Sequence, residues 1–173
     1  VTMGDSVIEI KDSAFYCCKN MQSIRLSSNA RIIGTKAFDE CLSVKCNAYD
    51  NAYYIGNEKD KYIVLMKAIS KDINSVKIYE GCVFINADAF NGCDYLKSIR
   101  IPENVISIDE SAFEECDNLA NVELSNNVTT IGKSAFQGCS TLTSIIIPSS
   151  VTTIADQAFT GCNALAEVYN LSD

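Results

Sequence analysis

The sequence predicts an α/β solenoid, a stack of similar coils that each add one short strand to a parallel sheet. Ala-Phe pairs recur along the chain, and four of the five intervals between them are 23 residues. The pairs are Ala14-Phe15, Ala37-Phe38, Ala89-Phe90, Ala112-Phe113, Ala135-Phe136 and Ala158-Phe159. A fixed period of this length is typical of solenoids, in which function lies on columns of equivalent residues.

Each repeat predicts one strand and one short return. Ile145 and Ile147 lie two residues apart among β-branched neighbours, which indicates a strand with alternate side chains inward. Ala135, Phe136 and Cys139 are spaced like one face of a helical or 3₁₀ turn. Stacked coils at roughly 4.8 Å would then form a parallel sheet along one face.

Glycines mark both ends of the predicted return. Gly34 and Gly132 stand where the chain must turn tightly into it. Gly92, Gly138 and Gly161 stand at its exit, where a positive φ is expected.

These motifs resemble a known family. Leu142-x-x-Ile145-x-Ile147 resembles the leucine-rich repeat strand signature, and Ala-Phe-x-x-Cys resembles BspA-like, or Treponema pallidum-type, leucine-rich repeats. The resemblance covers almost the whole chain. It implies a right-handed leucine-rich-repeat superhelix whose parallel sheet lies on the concave face. It also implies an extracellular or cell-surface protein of a host-associated microbe that binds host proteins.

The repeats predict a single leucine-rich repeat domain over residues 1–173 with one interruption. Both ends cut through a repeat, so we expect a fragment of a longer array. The second Ala-Phe interval, from Ala37 to Ala89, is 52 residues, and two β-rich runs flank the polar loop 56–61 inside it. This predicts a β-hairpin insertion at about 50–68, which replaces one return. The insertion is either a structural patch or an element that shapes a binding surface.

Composition excludes several function classes. A net charge of −8 argues against nucleic-acid binding. The sequence contains no run of 18 apolar residues, so we expect no direct membrane insertion. The chain has no His and no phosphate-loop, dinucleotide or nucleophile-elbow motif. We therefore expect a protein that is not an enzyme, with no catalytic residues, no cofactor and no metal.

Six of the nine cysteines occupy one repeat column. They are Cys18, Cys41, Cys93, Cys116, Cys139 and Cys162. A periodic column without C-x₂-C spacing predicts buried free thiols, not disulfides or zinc ligands. Cys46 falls on an outward strand position and is predicted to be the most reactive thiol.

The outward strand columns suggest where a partner could bind. Basic residues follow the first half of this face, and tyrosines accompany the predicted hairpin. The candidate protein-binding residues are Arg25, Lys45, Lys77, Lys97, Arg100, Tyr53, Tyr54 and Tyr62. The sequence thus favours an adhesion module at the cell surface that binds a protein, such as a host matrix protein. Its basic face would bind an acidic segment of that partner. An ordinary solvated face, on a structural spacer that presents another module, is the alternative.

Overall fold

The computed structural model describes residues 1–57 and 59–171, which form short strands joined by turns. The strands are β1 (Glu9–Ile10), β2 (Ile32–Ile33), β3 (Asn47–Tyr49), β4 (Ala52–Ile55), β5 (Val64–Ala68), β6 (Phe84–Ile85), β7 (Ser98–Arg100), β8 (Ser107–Ile108), β9 (Asn121–Glu123), β10 (Thr130–Ile131), β11 (Ser144–Ile147), β12 (Thr153–Ile154) and β13 (Glu167–Asn170). The solenoid makes about seven turns.

Each regular coil contributes to two parallel ladders, where the sequence predicted one. The first ladder consists of the predicted strands: β7 pairs with β9, β11 pairs with β13, and a bridge joins Thr2 to Arg25. The second ladder runs β5-β6-β8-β10-β12, with β1 and β2 as a separate parallel pair. Its strands are mostly two residues long, too short for alternation to reveal them. The coils are therefore hydrogen-bonded to one another along two faces.

The predicted helical or 3₁₀ returns are wrong, because the described residues contain turns and no helix. Successive N–H groups alternate in direction: Phe113 N donates to Ala135 O of the next coil at 2.8 Å, and Glu114 N donates to Ser111 O at 3.1 Å. This alternation requires left-handed residues, and Ser111 and Glu115 have φ values of 55° and 56°. A right-handed helix cannot contain residues with positive φ every few positions. The returns thus form a third line of hydrogen bonds between coils.

The predicted positive φ is confirmed at the glycines that end the returns, whereas the glycines that precede the returns are needed for another reason. Gly92, Gly138 and Gly161 have φ between 67° and 78°, which favours glycine. Gly34 and Gly132 instead allow close approach: a Cβ on Gly132 would lie 2.6 Å from the Asp109 carbonyl carbon of the preceding coil.

The interruption is an antiparallel sheet inserted between coils. β3 pairs antiparallel with β4, and β4 pairs antiparallel with β5, which then joins the second ladder beside β6. We call these three strands, residues 47–68, the meander. The regular first-ladder register fails here, since Leu26 N donates to Gly56 O at 2.9 Å and not to residue 48. The meander therefore replaces the turn between the two ladders as well as the return that the sequence predicted.

This insertion separates two apolar cores. The larger core contains Leu65 and Ile85 and extends through the stacked Phe and Cys columns of the C-terminal coils. The smaller core contains Leu26 and Phe38 of the first two coils together with Phe84 of β6. Val64 and Leu65 of β5 and their partners Phe84 and Ile85 of β6 are all buried, so this part of the sheet is covered on both faces. The first two coils therefore pack against the outer face of the later second ladder.

Polar contacts reinforce the packing of the first two coils on the later ones. Lys36 Nζ lies 3.2 Å from Glu110 Oε2, and Lys36 N donates to Asp109 Oδ2 at 2.9 Å. We call these contacts the Lys36 clasp. Burial raises the pKa of the Asp109 carboxyl, although the backbone N–H groups of Lys36 and Glu110 oppose this effect. The clasp joins returns that are 73 residues apart in the chain.

Candidate protein-binding surface

Most of the predicted basic residues are exposed to solvent. Lys45, Lys77, Lys97 and Arg100 are exposed, and Arg25 is half-buried. Backbone bonds between coils fix two of them: Lys45 N donates to Gln22 O at 2.9 Å, and Lys97 O accepts from Ala120 N at 3.0 Å. Arg100 lies in β7 and Arg25 in the bridge to Thr2, whereas the three lysines lie outside the strands. The structure does not gather all of them into one pocket.

Two of the predicted cations meet the insertion in a groove. The basic groove is an open cavity of about 260 Å³ between the first ladder and the loop after β4. Its lining is Ile24, Arg25, Lys45, Asn47, Ile55, Gly56, Asn57 and Lys61. Three cations and two amides therefore face one space, and none of these lining residues is acidic. Sequence reasoning missed Lys61 and Asn57, because only the antiparallel meander brings the loop beside Lys45.

The loop that forms one wall of the groove is held by its own hydrogen bonds. Asn57 Oδ1 accepts from Lys59 N and from Asp60 N, both at 2.9 Å. Asn47 Nδ2 donates to Lys61 O at 3.2 Å, which ties the loop to β3. Gly56 is required at its start, because a Cβ there would lie 2.1 Å from Asp60 O. Lys61 therefore projects from a defined backbone.

A carboxylate stands beside the groove on the first coil. Asp5 lines a smaller adjoining cavity of about 70 Å³ together with Arg25, Ser28, Asn57 and Lys59. Ser28 donates to Asp5 Oδ1 through its hydroxyl at 2.8 Å and its N–H at 3.3 Å. These hydrogen bonds lower the pKa of Asp5, and the nearby cations Arg25 and Lys59 add to the effect. Asp5 is thus ionised and engaged with Ser28.

The expectation of exposed tyrosines is partly wrong. Tyr54 is 0% exposed, and its hydroxyl accepts from Tyr79 N at 3.3 Å. Burial raises the pKa of this hydroxyl. Strand alternation directs Tyr54 into the larger core, where its ring centroid lies 6.3 Å from that of Tyr49 and 5.6 Å from that of Tyr62. Tyr54 is therefore unavailable to a partner, whereas Tyr53 and Tyr62 are half-buried.

The cysteine column lies inside the fold as free thiols. Cys41, Cys93, Cys116, Cys139 and Cys162 are buried, and Cys18 on the first coil is half-buried. Four of them donate to the Phe carbonyl of the preceding coil at 3.1–3.2 Å. Burial raises the pKa of Cys116 to about 12 and that of Cys93 to about 11. These thiols therefore act as structural hydrogen-bond donors between coils.

Cys46 is not the reactive thiol that its outward strand position predicted. It is half-buried beside the smaller core, and burial raises its pKa. The interruption bends the chain at this point, so a register taken from the regular repeats no longer applies. Cys17 is the cysteine that is exposed. It occupies a return position with φ of 59°, where three later coils carry glycine and two others carry Glu40 and Glu115.

Within residues 1–57 and 59–171, no three His, Cys, Asp or Glu side chains are grouped so that they could hold a metal ion. The same residues include no helix of the length and apolarity needed to cross a bilayer.

The two ladders, the stacked returns and the internal Phe and Cys columns define a leucine-rich-repeat solenoid. The chain belongs to the BspA-type leucine-rich repeat family, whose repeat matches residues 1–59 and 68–172 in six copies. The gap between these two matches falls within the meander and its loop, where the regular period fails.

Solved bacterial structures resemble this chain over nearly its whole length. A leucine-rich cell surface protein of Faecalibacterium prausnitzii is 29% identical with a TM-score of 0.59, over 98% of this chain and 52% of that one. A leucine-rich repeat protein of Bacteroides ovatus is 30% identical with a TM-score of 0.57, over 94% of this chain and 40% of that one. The leucine-rich repeat protein of T. pallidum is 28% identical with a TM-score of 0.53, over 99% of this chain and 69% of that one. The chain thus spans about half the length of the first of these proteins.

No curated protein matches this chain significantly.

Proposed function

We propose that this chain is a non-enzymatic, cell-surface or secreted binding module that recognises a protein partner through the outward face of the first ladder. The observation that carries the proposal is a set of four exposed cations, Lys45, Lys77, Lys97 and Arg100, at or beside the first-strand positions of successive repeats on a chain of net charge −8. Several exposed charges opposite in sign to the whole protein favour docking of an acidic surface. The likeness to a cell surface protein supports the location.

Internal ion pairing leaves this face able to bind. Arg100 Nη1 lies 3.4 Å from Glu80 Oε1, and more than half of each side chain is exposed. A surface pair of this kind contributes about 0–1 kcal/mol, so a partner's carboxylate can exchange with Glu80 at little cost. Half-buried Tyr53 of β4 and Tyr62 just before β5 would add apolar contact to a bound partner. A host extracellular matrix protein is the partner class we propose.

Binding can be measured by surface plasmon resonance with immobilised extracellular matrix proteins. The variant Lys77→Glu/Lys97→Glu reverses two of the four exposed cations. We expect it to weaken binding on the order of tenfold, and we expect added salt to weaken the wild type. Lys19→Glu/Lys133→Glu makes the same change in charge at exposed positions of the returns and should bind like the wild type. Equal loss in both double variants, or loss only in the return variant, would overturn the choice of face.

A structural spacer is the second candidate, favoured by the hydrogen bonds between successive regular coils. On either side of the meander these bonds run along the ladders and the returns, which would give two stiff segments. If the wild type binds no protein at micromolar concentration, this role replaces the first. A spacer would also tolerate the Lys77→Glu/Lys97→Glu change in full-length protein without loss of any adhesive activity.

A further inference from the structure

We infer that the basic groove is a specific site for the carboxylates of an acidic peptide segment, which it holds between the first ladder and the meander loop. The inference rests on the proposed protein-binding function and names its anchoring point. It moves that point away from the middle of the ladder to the junction of Lys45, Lys61, Asn47 and Asn57.

The lysines and amides that line the groove are suited to binding a ligand carboxylate. Lys45 and Lys61 form no ion pair with the residues that the structure describes. Two ammonium groups and two side-chain amides around one cavity of about 260 Å³ offer several donors to bound oxygens. Charge-assisted hydrogen bonds of this kind are among the stronger polar contacts. Among the described lining residues, the two lysines and the two amides thus provide donors that a ligand carboxylate can accept from.

The apolar wall of the groove indicates a peptide over a sugar. Ile24 and Ile55 lie among the lining residues, and the lining contains no aromatic side chain on which a sugar ring could stack. Ile24 is half-buried whereas Ile55 is buried, so the methylene groups of a Glu side chain would pack on Ile24 while its carboxylate reaches the cations. The groove is also open, so an extended segment can cross it.

The walls of the groove are preformed, which favours specific binding. Lys45 is fixed by the bond from its N–H to Gln22 O at 2.9 Å, and the opposite wall is fixed by the bond from Leu26 N to Gly56 O at 2.9 Å. Asn57 orders the loop that carries Lys61. The backbone therefore loses little conformational freedom when a ligand binds, and this small entropic cost favours higher affinity.

The test uses fluorescence anisotropy with a labelled hexapeptide of alternating Glu and Asp. The matched control is its Gln and Asn counterpart. We expect the acidic peptide to bind the wild-type chain and the amide peptide not to bind, with affinity falling as salt is added. Lys45→Gln/Lys61→Gln should weaken binding of the acidic peptide about tenfold or more, whereas Lys77→Gln/Lys97→Gln, which removes the same charge outside the groove, should weaken it less than twofold.

The outcomes separate this inference from the proposed function. Equal weakening in both double variants would show a diffuse charge effect and overturn the groove. Binding of a sulfated oligosaccharide but not of the acidic peptide would overturn the peptide assignment. If a matrix protein binds and Lys45→Gln/Lys61→Gln leaves its affinity unchanged, the groove fails while the proposed function stands. If the peptide binds at the groove but no matrix protein binds, the groove stands and the proposed function fails. Circular dichroism of each variant checks that the fold is intact.

Discussion

Replacing Phe113 by Ala removes the centre of the Phe column. Phe113 is 0% exposed, and its ring stacks on Phe90 at 5.1 Å and on Phe136 at 5.2 Å between centroids. Its backbone also links coils, because Phe113 N donates to Ala135 O and its carbonyl accepts from Cys139 Sγ. The backbone bonds survive the substitution, so the loss measures the ring alone.

The expected loss in the free energy of unfolding is about 4–5 kcal/mol. Burying a Phe side chain contributes about 2–3 kcal/mol by transfer from water. The cavity left by the ring, on the order of 100 Å³, adds about 2.4 kcal/mol at ~24 cal/mol per Å³. Two lost stacking contacts could add about 1 kcal/mol more, which partial collapse of neighbouring coils would offset.

The assay is equilibrium unfolding in urea followed by far-ultraviolet circular dichroism. The matched control is Phe159→Ala, because Phe159 is half-buried and stacks on Phe136 at 5.5 Å on one side. The control should lose no more than about half as much stability. A broadened or biphasic transition would fit coupling between nearest coils. A loss below about 1 kcal/mol for Phe113→Ala, or an equal loss in the control, would refute the column as the core of the larger solenoid segment.

Three other predictions follow from the buried thiols and the close-packed coils. In native protein, a thiol reagent should modify Cys17 first and leave the buried column unreacted, and rapid reaction of six or more cysteines would contradict this. Stability should fall as pH rises from about 9 toward 12, because the pKa of Cys116 rises from 9.0 to about 12 on folding and the unfolded chain therefore ionises first. Urea unfolding across this interval should show a shallower loss in Cys116→Ala than in the wild type. Gly132→Ala should cost about 1–3 kcal/mol, because its Cβ would lie 2.6 Å from a backbone carbon. Gly4→Ala has nothing within 4 Å of the added Cβ and should change the unfolding midpoint little.

The regular coils could be predicted from sequence because each of their features repeats. Phe136 and Cys139 recur at fixed spacing, so their burial in one seam follows from the period alone. Gly138 likewise stands at a repeated position with positive φ. The conformation of the return could not be inferred in the same way. The spacing of Ala135, Phe136 and Cys139 fits a helix as well as the observed run of alternating turns, and only the bonds to the next coil distinguish them.

The packing of the meander between the two cores could not be predicted, because it depends on contacts that occur only once in the fold. Nothing periodic in the sequence reports that Phe84 faces the smaller core while its neighbour Ile85 faces the larger one. The burial of Tyr54 follows from the same two-sided packing of the meander. Lys61 likewise joins Lys45 only through the fold of one loop. Where the repeat is broken, tertiary contacts override the register that the other coils establish.

The packing of the two cores and the proposed peptide site depend on the same residues. The groove has one wall on the first ladder and the other on the meander loop, so its width follows how the first two coils sit on the later ones. The Lys36 clasp holds that arrangement from the return side, far in sequence from Lys45 and Lys61. Loosening the clasp would let the walls move without altering any lining residue. Affinity for an acidic peptide should therefore fall in Glu110→Gln, which breaks the ion pair with Lys36 while the groove keeps all its cations and the chain becomes less negative. A fall against this change in charge would distinguish a preformed site from a patch of surface charge.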